Sequence, residues 1–217
     1  HHPERGLVAP GEFIGLAEET GLIVPIGQWV LEQVCQQLKR RARDGSDALR
    51  IAVNMSPRQC FAPNGIAGLC EVIERYDIDS SQLVVELTES MLMENDHALE
   101  GLNQLRRLGV RLSMDDFGTG YSSLSYLKHF PIDILKIDRS FIRDLPADQG
   151  DAALVEAIVA MAQSLKLEVV AEGVEHDEQK QFLSQLNCHY LQGFFYGKPM
   201  PLDAFEAFVK QYNAPAR

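Results

Sequence analysis

The sequence predicts one α/β domain built around a mainly parallel sheet, and two features of the chain lead to this prediction. Segments with strand character alternate with amphipathic helical segments along the chain. Each of the six predicted strands begins with apolar residues and ends in a polar or ionisable one, and α/β barrels place their active sites at the carboxyl ends of the strands. No linker or low-complexity segment divides the 217 residues, so we expect a single domain.

The composition narrows the class of protein. Hydrophobic residues make up 46% of the chain, which indicates a globular rather than a disordered protein. The formal net charge of −11 argues against a general binder of nucleic-acid polymers, although bound metal ions would still allow a small phosphate ligand. The four cysteines lack metal-type spacing, which predicts buried or free thiols in a reducing compartment. Because we find no apolar membrane span and no signal peptide, we expect a cytoplasmic location, or the cytoplasmic face of a membrane if the full-length protein has spans.

The first half of the chain begins with a turn-rich segment over residues 3–12, followed by two helices. Glu12–Thr20 is amphipathic and is ended by Gly21. Ile26–Arg43 carries apolar residues at positions 26, 30, 34 and 38, which is helical spacing. The remaining elements of this half are a strand at Arg50–Met55, a helix at Gly65–Tyr76, a strand at Leu83–Thr88, a helix at His97–Leu108 and a strand at Val110–Asp115.

The second half continues the same alternation after a glycine-containing loop. A short helix is predicted near Ser122–His129, and a last helix at Leu202–Tyr212. Between them we predict a strand at Ile132–Ile137, a helix at Ala152–Leu165, a strand at Glu168–Glu172, a helix at Glu178–Leu186 and a short strand at Tyr190–Gly193.

The polar residues at the strand ends form the candidate site. They are Asn54, Glu86, Asp115, Asp116, Lys136, Glu172 and Gln192. A single one of them would usually be a structural strand cap, but their occurrence on six successive strands favours a shared site. Amide and carboxylate oxygens suit Mg²⁺ or Mn²⁺ rather than zinc.

The adjacent carboxylates of Asp115 and Asp116 suggest a site for two metal ions. Carboxylates that lie close together resist joint ionisation, and a divalent cation, or a pair of cations bridged by one carboxylate, removes that penalty. If the strand ends at Asp115, the following turn can aim both side chains at one point, and Gly118 and Gly120 allow close approach of the backbone to a ligand. A polar turn that caps the next helix is the structural alternative.

Lys136 has two possible roles that the sequence leaves open. Its ammonium group could orient a water molecule or stabilise developing negative charge, or it could form salt bridges to the nearby carboxylates.

Six short motifs occur along the chain in a fixed order. They are Asn54-Met55-Ser56, Glu86-Leu87-Thr88-Glu89-Ser90, Asp115-Asp116-Phe117-Gly118-Thr119-Gly120-Tyr121-Ser122-Ser123-Leu124, Lys136-Ile137-Asp138, Ala171-Glu172-Gly173-Val174-Glu175 and Gln192-Gly193-Phe194. On these motifs the chain closely resembles the EAL-domain cyclic di-GMP phosphodiesterases of bacteria, from residue 1 to about residue 210. The resemblance implies a modified TIM (β/α)8 barrel that hydrolyses cyclic di-GMP to linear pGpG with two Mg²⁺ or Mn²⁺ ions in second-messenger signalling. It also implies a homodimer, and sensor or GGDEF-type domains upstream in the full-length protein.

The resemblance further implies a role for each matching residue. Asn54, Glu86 and Asp115 would hold the first metal, and Asp115 would bridge to the second, which Asp116 and Glu172 complete. Lys136 would act on the water molecule. Glu175 and Gln192 would support the site and its water network, and Asp138 would occupy a matching family position. Glu89 would anchor the Asp115–Ser123 loop, which contains Gly118, Thr119 and Gly120. In the family this loop couples the site to the dimer interface.

One departure from the family pattern concerns the start of the domain. The Glu-Ala-Leu signature, whose glutamate is a metal ligand in the family, is absent, as is the strand before it. Residues 1–217 would then hold six strands of an eight-stranded barrel, with the first two missing. Either upstream residues supply these strands, or a truncated chain has an impaired first metal site. We expect about thirty or more residues before His1, and we expect that the 217 residues alone do not fold into a stable, active monomer.

Two other functions share some of these features. An EAL-like receptor would bind cyclic di-GMP without cleaving it, but such receptors usually lose metal ligands or the glycine loop, which are present within this sequence. A metal-dependent enolising TIM-barrel enzyme would also place carboxylates and a lysine at strand ends, but the ordered motifs argue against it. Metal-dependent cleavage of the dinucleotide would distinguish the three functions.

Overall fold

Six parallel strands form one sheet in the order in which they occur along the chain. The computed structural model describes residues 2–45, 49–62, 65–93, 98–118, 127 and 129–212. The strands are β1 (Ile51–Asn54), β2 (Leu83–Thr88), β3 (Arg111–Phe117), β4 (Ile134–Ile137), β5 (Glu168–Ala171) and β6 (Tyr190–Leu191). Each strand pairs in parallel with the next, which confirms the predicted α/β class and the six predicted strands.

Helices connect the strands and cover one face of the sheet. In the described residues they are α1 (Pro10–Thr20), α2 (Ile23–Arg43), α3 (Pro57–Phe61), α4 (Gly65–Tyr76), α5 (Glu89–Met93), α6 (Ala98–Arg107), α7 (Arg139–Ile142), α8 (Gln149–Ser164), α9 (Asp177–Gln185) and α10 (Leu202–Tyr212), with a 3₁₀ turn at Ser80–Gln82. None of the described helices is both long and apolar enough to cross a membrane.

Several element boundaries differ from the prediction, which was based on apolar spacing. α2 begins at Ile23 instead of Ile26, since Pro25 is tolerated in the first turn of a helix. α8 begins at Gln149 instead of Ala152, because the side chain of Asp148 accepts hydrogen bonds from the backbone N–H groups of Gly150 and Asp151. The short helices α3, α5 and α7 were not predicted. The predicted helix near Ser122–His129 lies almost wholly outside the described residues.

Alternation along the strands separates the core from a concave interior. Leu87, Leu112 and Leu135 face the helices and have no exposed surface, and each such burial contributes about 1.5–3 kcal/mol. The side chains on the other face line a cavity of about 210 Å³ on the inner side of the sheet. They include Ala52, Val84, Glu86, Ser113, Ile134, Lys136 and Val170.

The sheet curls enough to bring its outer strands within side-chain reach of each other. Arg50, directly before β1, donates a hydrogen bond of 2.7 Å to Glu168 at the start of β5 and another to the hydroxyl of Tyr190 in β6. Arg111, at the start of β3, also donates to Glu168, at 2.7 Å. Partial burial opposes the charge of Glu168, but the hydrogen bonds from Arg111 and Arg50 outweigh this effect and lower the pKa of its carboxyl group. Such a curl is consistent with a partial TIM barrel.

β1 and β6 are the outer strands of this sheet among the described residues. Ala52 and Asn54, on the inner face of β1, are exposed. The expectation that two further strands precede β1 stays a prediction, as does the expectation for the folding of residues 1–217 alone. All four cysteines are free, as predicted, and Cys35 and Cys60 are buried.

Candidate active site

The parallel register brings the predicted site residues to one edge of the sheet. Asn54 on β1 lies opposite Glu86 on β2, and Thr88 at the end of β2 lies opposite Asp115 on β3. Lys136 lies in β4, and Glu172 follows directly after β5. Because the strands are parallel, their carboxyl ends converge, and four of these side chains come into contact.

The side chain of Lys136 is the centre of that contact. It is 4% exposed, and its Nζ atom lies 2.7 Å from Glu172 Oε1, 2.9 Å from Glu86 Oε1 and 3.0 Å from Asp115 Oδ1. An ammonium group has three N–H donors, so these contacts match its full donor capacity. The salt-bridge role that the sequence allowed for Lys136 is therefore present in the structure.

The pKa of Lys136 follows from two opposing effects. Burial disfavours the ammonium ion, but the charge of Glu86, the hydrogen bond to Glu172 and the charges of Glu172 and Asp115 outweigh it and raise the pKa. Lys136 therefore carries a positive charge at neutral pH in this arrangement.

The carboxylates around Lys136 carry more charge than one ammonium group can balance. Burial raises the pKa of Glu86 and of Glu172, against the opposing charge of Lys136. Burial, and then the charges of Asp115 and Asp138, raises the pKa of Asp116. With Glu86, Asp115, Asp116 and Glu172 ionised, four negative charges face one positive charge, a formal charge of −3. A divalent cation would relieve this repulsion.

Asp115 and Asp116 reach the same side of the sheet by a route that the sequence did not reveal. We expected β3 to end at Asp115, but the strand continues to Phe117. The register with β4 shifts between Met114 and Phe117, and Asp116 has a φ of 55°, in the left-handed region. The backbone N–H of Asp116 donates to Asp115 Oδ1 at 3.0 Å. A register shift of this kind can turn a side chain towards the face of the sheet opposite to the one that regular strand alternation would give it.

Three carboxylates form a group that could hold a metal ion. Asp115, Asp116 and Glu172 each offer an oxygen atom, and these atoms lie within 4.8 Å of one another. Oxygen donors alone suit Mg²⁺ or Mn²⁺. Glu86 is connected to this group by its ion pair with Lys136. Asn54 is exposed and lies opposite Glu86 in the register of β1 and β2.

Glu89, at the start of α5, lies against the loop that follows β3. Glu89 is 5% exposed, and its Oε2 atom accepts a hydrogen bond of 3.2 Å from the backbone N–H of Gly118. Gly118 has a φ of 98°, and a Cβ atom there would lie 2.9 Å from Phe141 Cε2, so the position requires glycine. The predicted loop residues Thr119 and Gly120 lie outside the described residues.

The remaining predicted positions lie around the cluster. Asp138 caps α7, where its Oδ1 atom accepts from the backbone N–H of Ser140 at 2.9 Å. Gln192 lines the interior cavity, and its backbone carbonyl accepts from the N–H of Val174 at 3.0 Å. Glu175 is exposed, and its backbone N–H donates to Gln179 Oε1 at 2.7 Å.

Sequence reasoning missed Gln179. It is 1% exposed and lies just behind the Glu172–Glu175 segment. Its position three residues after His176 is where a Gln or Glu caps the start of a helix, and this spacing was the available signal.

Comparisons with a family model and with curated proteins point to the same family. The family model described as "EAL domain" matches residues 1–199. The bifunctional diguanylate cyclase/cyclic di-GMP phosphodiesterase MucR of Pseudomonas aeruginosa is 49% identical over 210 residues, which are 96% of this chain and 30% of that protein. The cyclic di-GMP phosphodiesterase PdeR of Escherichia coli is 47% identical over 211 residues, which are 97% of this chain and 32% of that protein. The chain thus spans about a third of the length of these relatives.

The fold of the chain also matches that of a solved structure from this family. The structure of the PaMucR phosphodiesterase in complex with c-di-GMP superposes with a TM-score of 0.89 at 47% identity, covering 94% of this chain and 83% of that one.

Proposed function

The chain belongs to the EAL domain family, and we propose that it hydrolyses cyclic di-GMP to linear pGpG with the help of two divalent cations. The observation that carries the proposal is the cluster of Glu86, Asp115, Asp116 and Glu172 around the buried Lys136. The cluster lies where the carboxyl ends of parallel strands meet, which is the position of active sites in barrels of this type.

The proposal follows the family resemblance in dividing the ligands between the two ions. Asp115, Asp116 and Glu172 would hold one ion, and Asn54, Glu86 and Asp115 the other, with Asp115 shared. Bound Mg²⁺ or Mn²⁺ would make a water molecule more acidic and would stabilise negative charge on the phosphodiester.

Lys136 has two tasks in this proposal. Through its three ion pairs it balances part of the negative charge of carboxylates from β2, from β3 and from the segment after β5 in the metal-free protein. We propose that its ammonium group also stabilises the negative charge that develops on the phosphodiester oxygens as water attacks. Electrostatic stabilisation of this kind is strongest when the charge is fixed before the reaction.

The supporting residues act on the loops around the cluster. Glu89 fixes the start of the glycine loop through Gly118, and we propose that this loop contributes to a dimer interface. Gln192 and Glu175 belong to segments that join the site from β6 and β5, where they would contact water or the dinucleotide. The greater length of the relatives agrees with further sensor or GGDEF-type domains in a full-length cytoplasmic signalling protein.

The test is product analysis on the purified full-length protein. Cyclic di-GMP is incubated with Mg²⁺ or Mn²⁺, and the products are separated by chromatography. We expect linear pGpG, no product in the presence of EDTA, and recovery when Mn²⁺ is restored. Binding of cyclic di-GMP without cleavage at any metal concentration would favour the receptor function, and failure both to bind and to cleave it would refute the substrate assignment.

A further inference from the structure

Gln179 is a buried polar residue outside the acidic cluster. It lies in the first turn of α9 and is 1% exposed. Its Oε1 atom accepts hydrogen bonds from the backbone N–H groups of Glu175, at 2.7 Å, and His176, at 2.9 Å. Its Nε2 atom donates to the backbone carbonyls of Ile142, at 3.0 Å, and Arg143, at 2.9 Å. The side chain therefore makes the four hydrogen bonds that an amide with two donors and two lone pairs can make.

The four partners of Gln179 lie in the segments that follow β4 and β5. Ile142 and Arg143 lie at the end of α7, which follows the strand that contains Lys136. Glu175 and His176 lie in the segment that begins with Glu172. The side chain of Gln179 thus joins the segment after β4 to the segment after β5. The same two parts of the chain are also joined by the ion pair of Lys136 Nζ with Glu172 Oε1, at 2.7 Å.

Only part of this arrangement is an ordinary helix cap. Acceptance from the N–H of His176 is the usual role of a Gln or Glu at the third position of a helix. Donation to Ile142 and Arg143 is different, because these residues are 37 and 36 positions away in the chain. A carboxylate could replace the amide in the cap, but it could not donate to two carbonyls.

Close packing restricts the loop after β5 on its other sides. A Cβ atom at Gly173 would lie 2.5 Å from the Cβ of Arg139, at the start of α7. A Cβ atom at Gly193 would lie 2.1 Å from the carbonyl oxygen of Val174. The backbone of this loop is therefore enclosed by its neighbours, and Gln179 links it to the end of α7.

We propose that Gln179 is a positioning residue for the metal site, which holds Glu172 at the distance from Asp115 and Asp116 that metal binding requires. The proposal rests on the proposed function, since it assigns Glu172 as a metal ligand. Residues that orient metal ligands through hydrogen bonds typically affect metal affinity or activity by about 10–100-fold when they are replaced.

The test compares Gln179→Glu with Gln181→Glu in the full-length protein. The first variant keeps the helix cap but cannot donate to both Ile142 and Arg143, because a carboxylate has no donor and a protonated carboxyl group has only one. The control changes an exposed residue of the same helix, whose Nε2 atom bonds to Asp177 at 2.5 Å and reaches neither loop. Mn²⁺ binding is titrated directly by electron paramagnetic resonance of the free ion, without nucleotide, at a temperature at which circular dichroism shows each variant to be folded.

We expect the Mn²⁺ dissociation constant of Gln179→Glu to rise about tenfold or more, and that of Gln181→Glu to stay within about twofold of the parent. An added negative charge by itself favours cation binding, so a loss of affinity in Gln179→Glu reports the broken bridge. Gln179→Met, a neutral variant of similar length, should show the same loss.

Parent-like Mn²⁺ affinity in folded Gln179→Glu and Gln179→Met would overturn the proposal, even if their unfolding temperatures fall. Failure of both variants to fold would also overturn it, because Gln179 would then be a residue of the fold rather than of the site. Failure of the proposed function is separate, since it would appear as an absence of cyclic di-GMP cleavage by the parent.

Discussion

Replacing Lys136 with Met removes the ammonium group that ion-pairs with Glu86, Asp115 and Glu172. Met has a similar length and no charge, so it fills the space and leaves the carboxylates without their partner. Removing one partner of a buried ion pair typically costs about 3–5 kcal/mol. For a domain of this size, each kcal/mol lowers the unfolding temperature by roughly 2–4 °C, so we expect the metal-free variant to unfold about 6–20 °C below the parent.

The same variant separates two possible roles of Lys136 in turnover. Without the competing ammonium group, the carboxylates should bind Mn²⁺ at least as tightly as in the parent, and the ion should restore much of the lost stability. Turnover of cyclic di-GMP should nevertheless fall by about 10²–10³-fold, because the fixed charge that stabilises the developing negative charge is gone.

The assay combines thermal unfolding with and without Mn²⁺, direct Mn²⁺ titration and product chromatography. Lys180→Met is the control, since Lys180 is a partly exposed lysine whose ion pair with Asp177 measures 3.7 Å. Loss of Mn²⁺ binding in parallel with turnover would refute the reasoning, as it would make Lys136 a purely structural support of the ligands. An unfolding temperature equal to that of the parent would refute the energetic part.

Two further predictions concern other ion pairs and the loop anchor. Glu168→Gln should destabilise the protein by about 1 kcal/mol at pH 7, because the carboxylate bonded to Arg50 and Arg111 has a lowered pKa in the folded state. That contribution is complete above the ordinary glutamate pKa of about 4.3 and is lost as the pH falls through the lowered value, so thermal unfolding of parent and variant should converge on acidification; a constant difference would contradict this. Glu89→Ala should weaken Mn²⁺ binding and dimerisation together, because Gly118 loses its anchor, and unchanged metal titration and sedimentation would argue against it.

The sequence predicted the fold well where the apolar spacing of a segment and its place in the strand–helix alternation indicated the same element. The alternation of strands and helices predicted all six strands. The polar residues at the ends of β2, β3, β4 and β5 include the side chains that meet, whereas Asn54 and Gln192 lie outside these contacts. Elements whose boundaries depend on a few capping contacts were harder to predict. The five-residue helix α3 begins at a capping box formed by Ser56 and Gln59, and a helix of this length is too short to show an apolar period.

The geometry of the paired aspartates could not be predicted from the local sequence. Asp116 turns towards the site because the register between β3 and β4 shifts, and that shift depends on a strand about twenty residues later in the chain. Gln179 was missed for a similar reason. Its cap is visible in the sequence, but its donation to Ile142 and Arg143 exists only once the two loops have packed together.

The most direct test of the proposed two-metal phosphodiesterase site is the turnover of Asp115→Asn. Asp115 contacts Lys136, belongs to the carboxylate group that could hold a metal, and is the ligand that both ions would share. We predict that the variant stays folded and no longer hydrolyses cyclic di-GMP, because an amide is a neutral ligand and a poor bridge between two cations. Near-parent turnover of the folded variant at ordinary Mg²⁺ concentration would contradict the assignment.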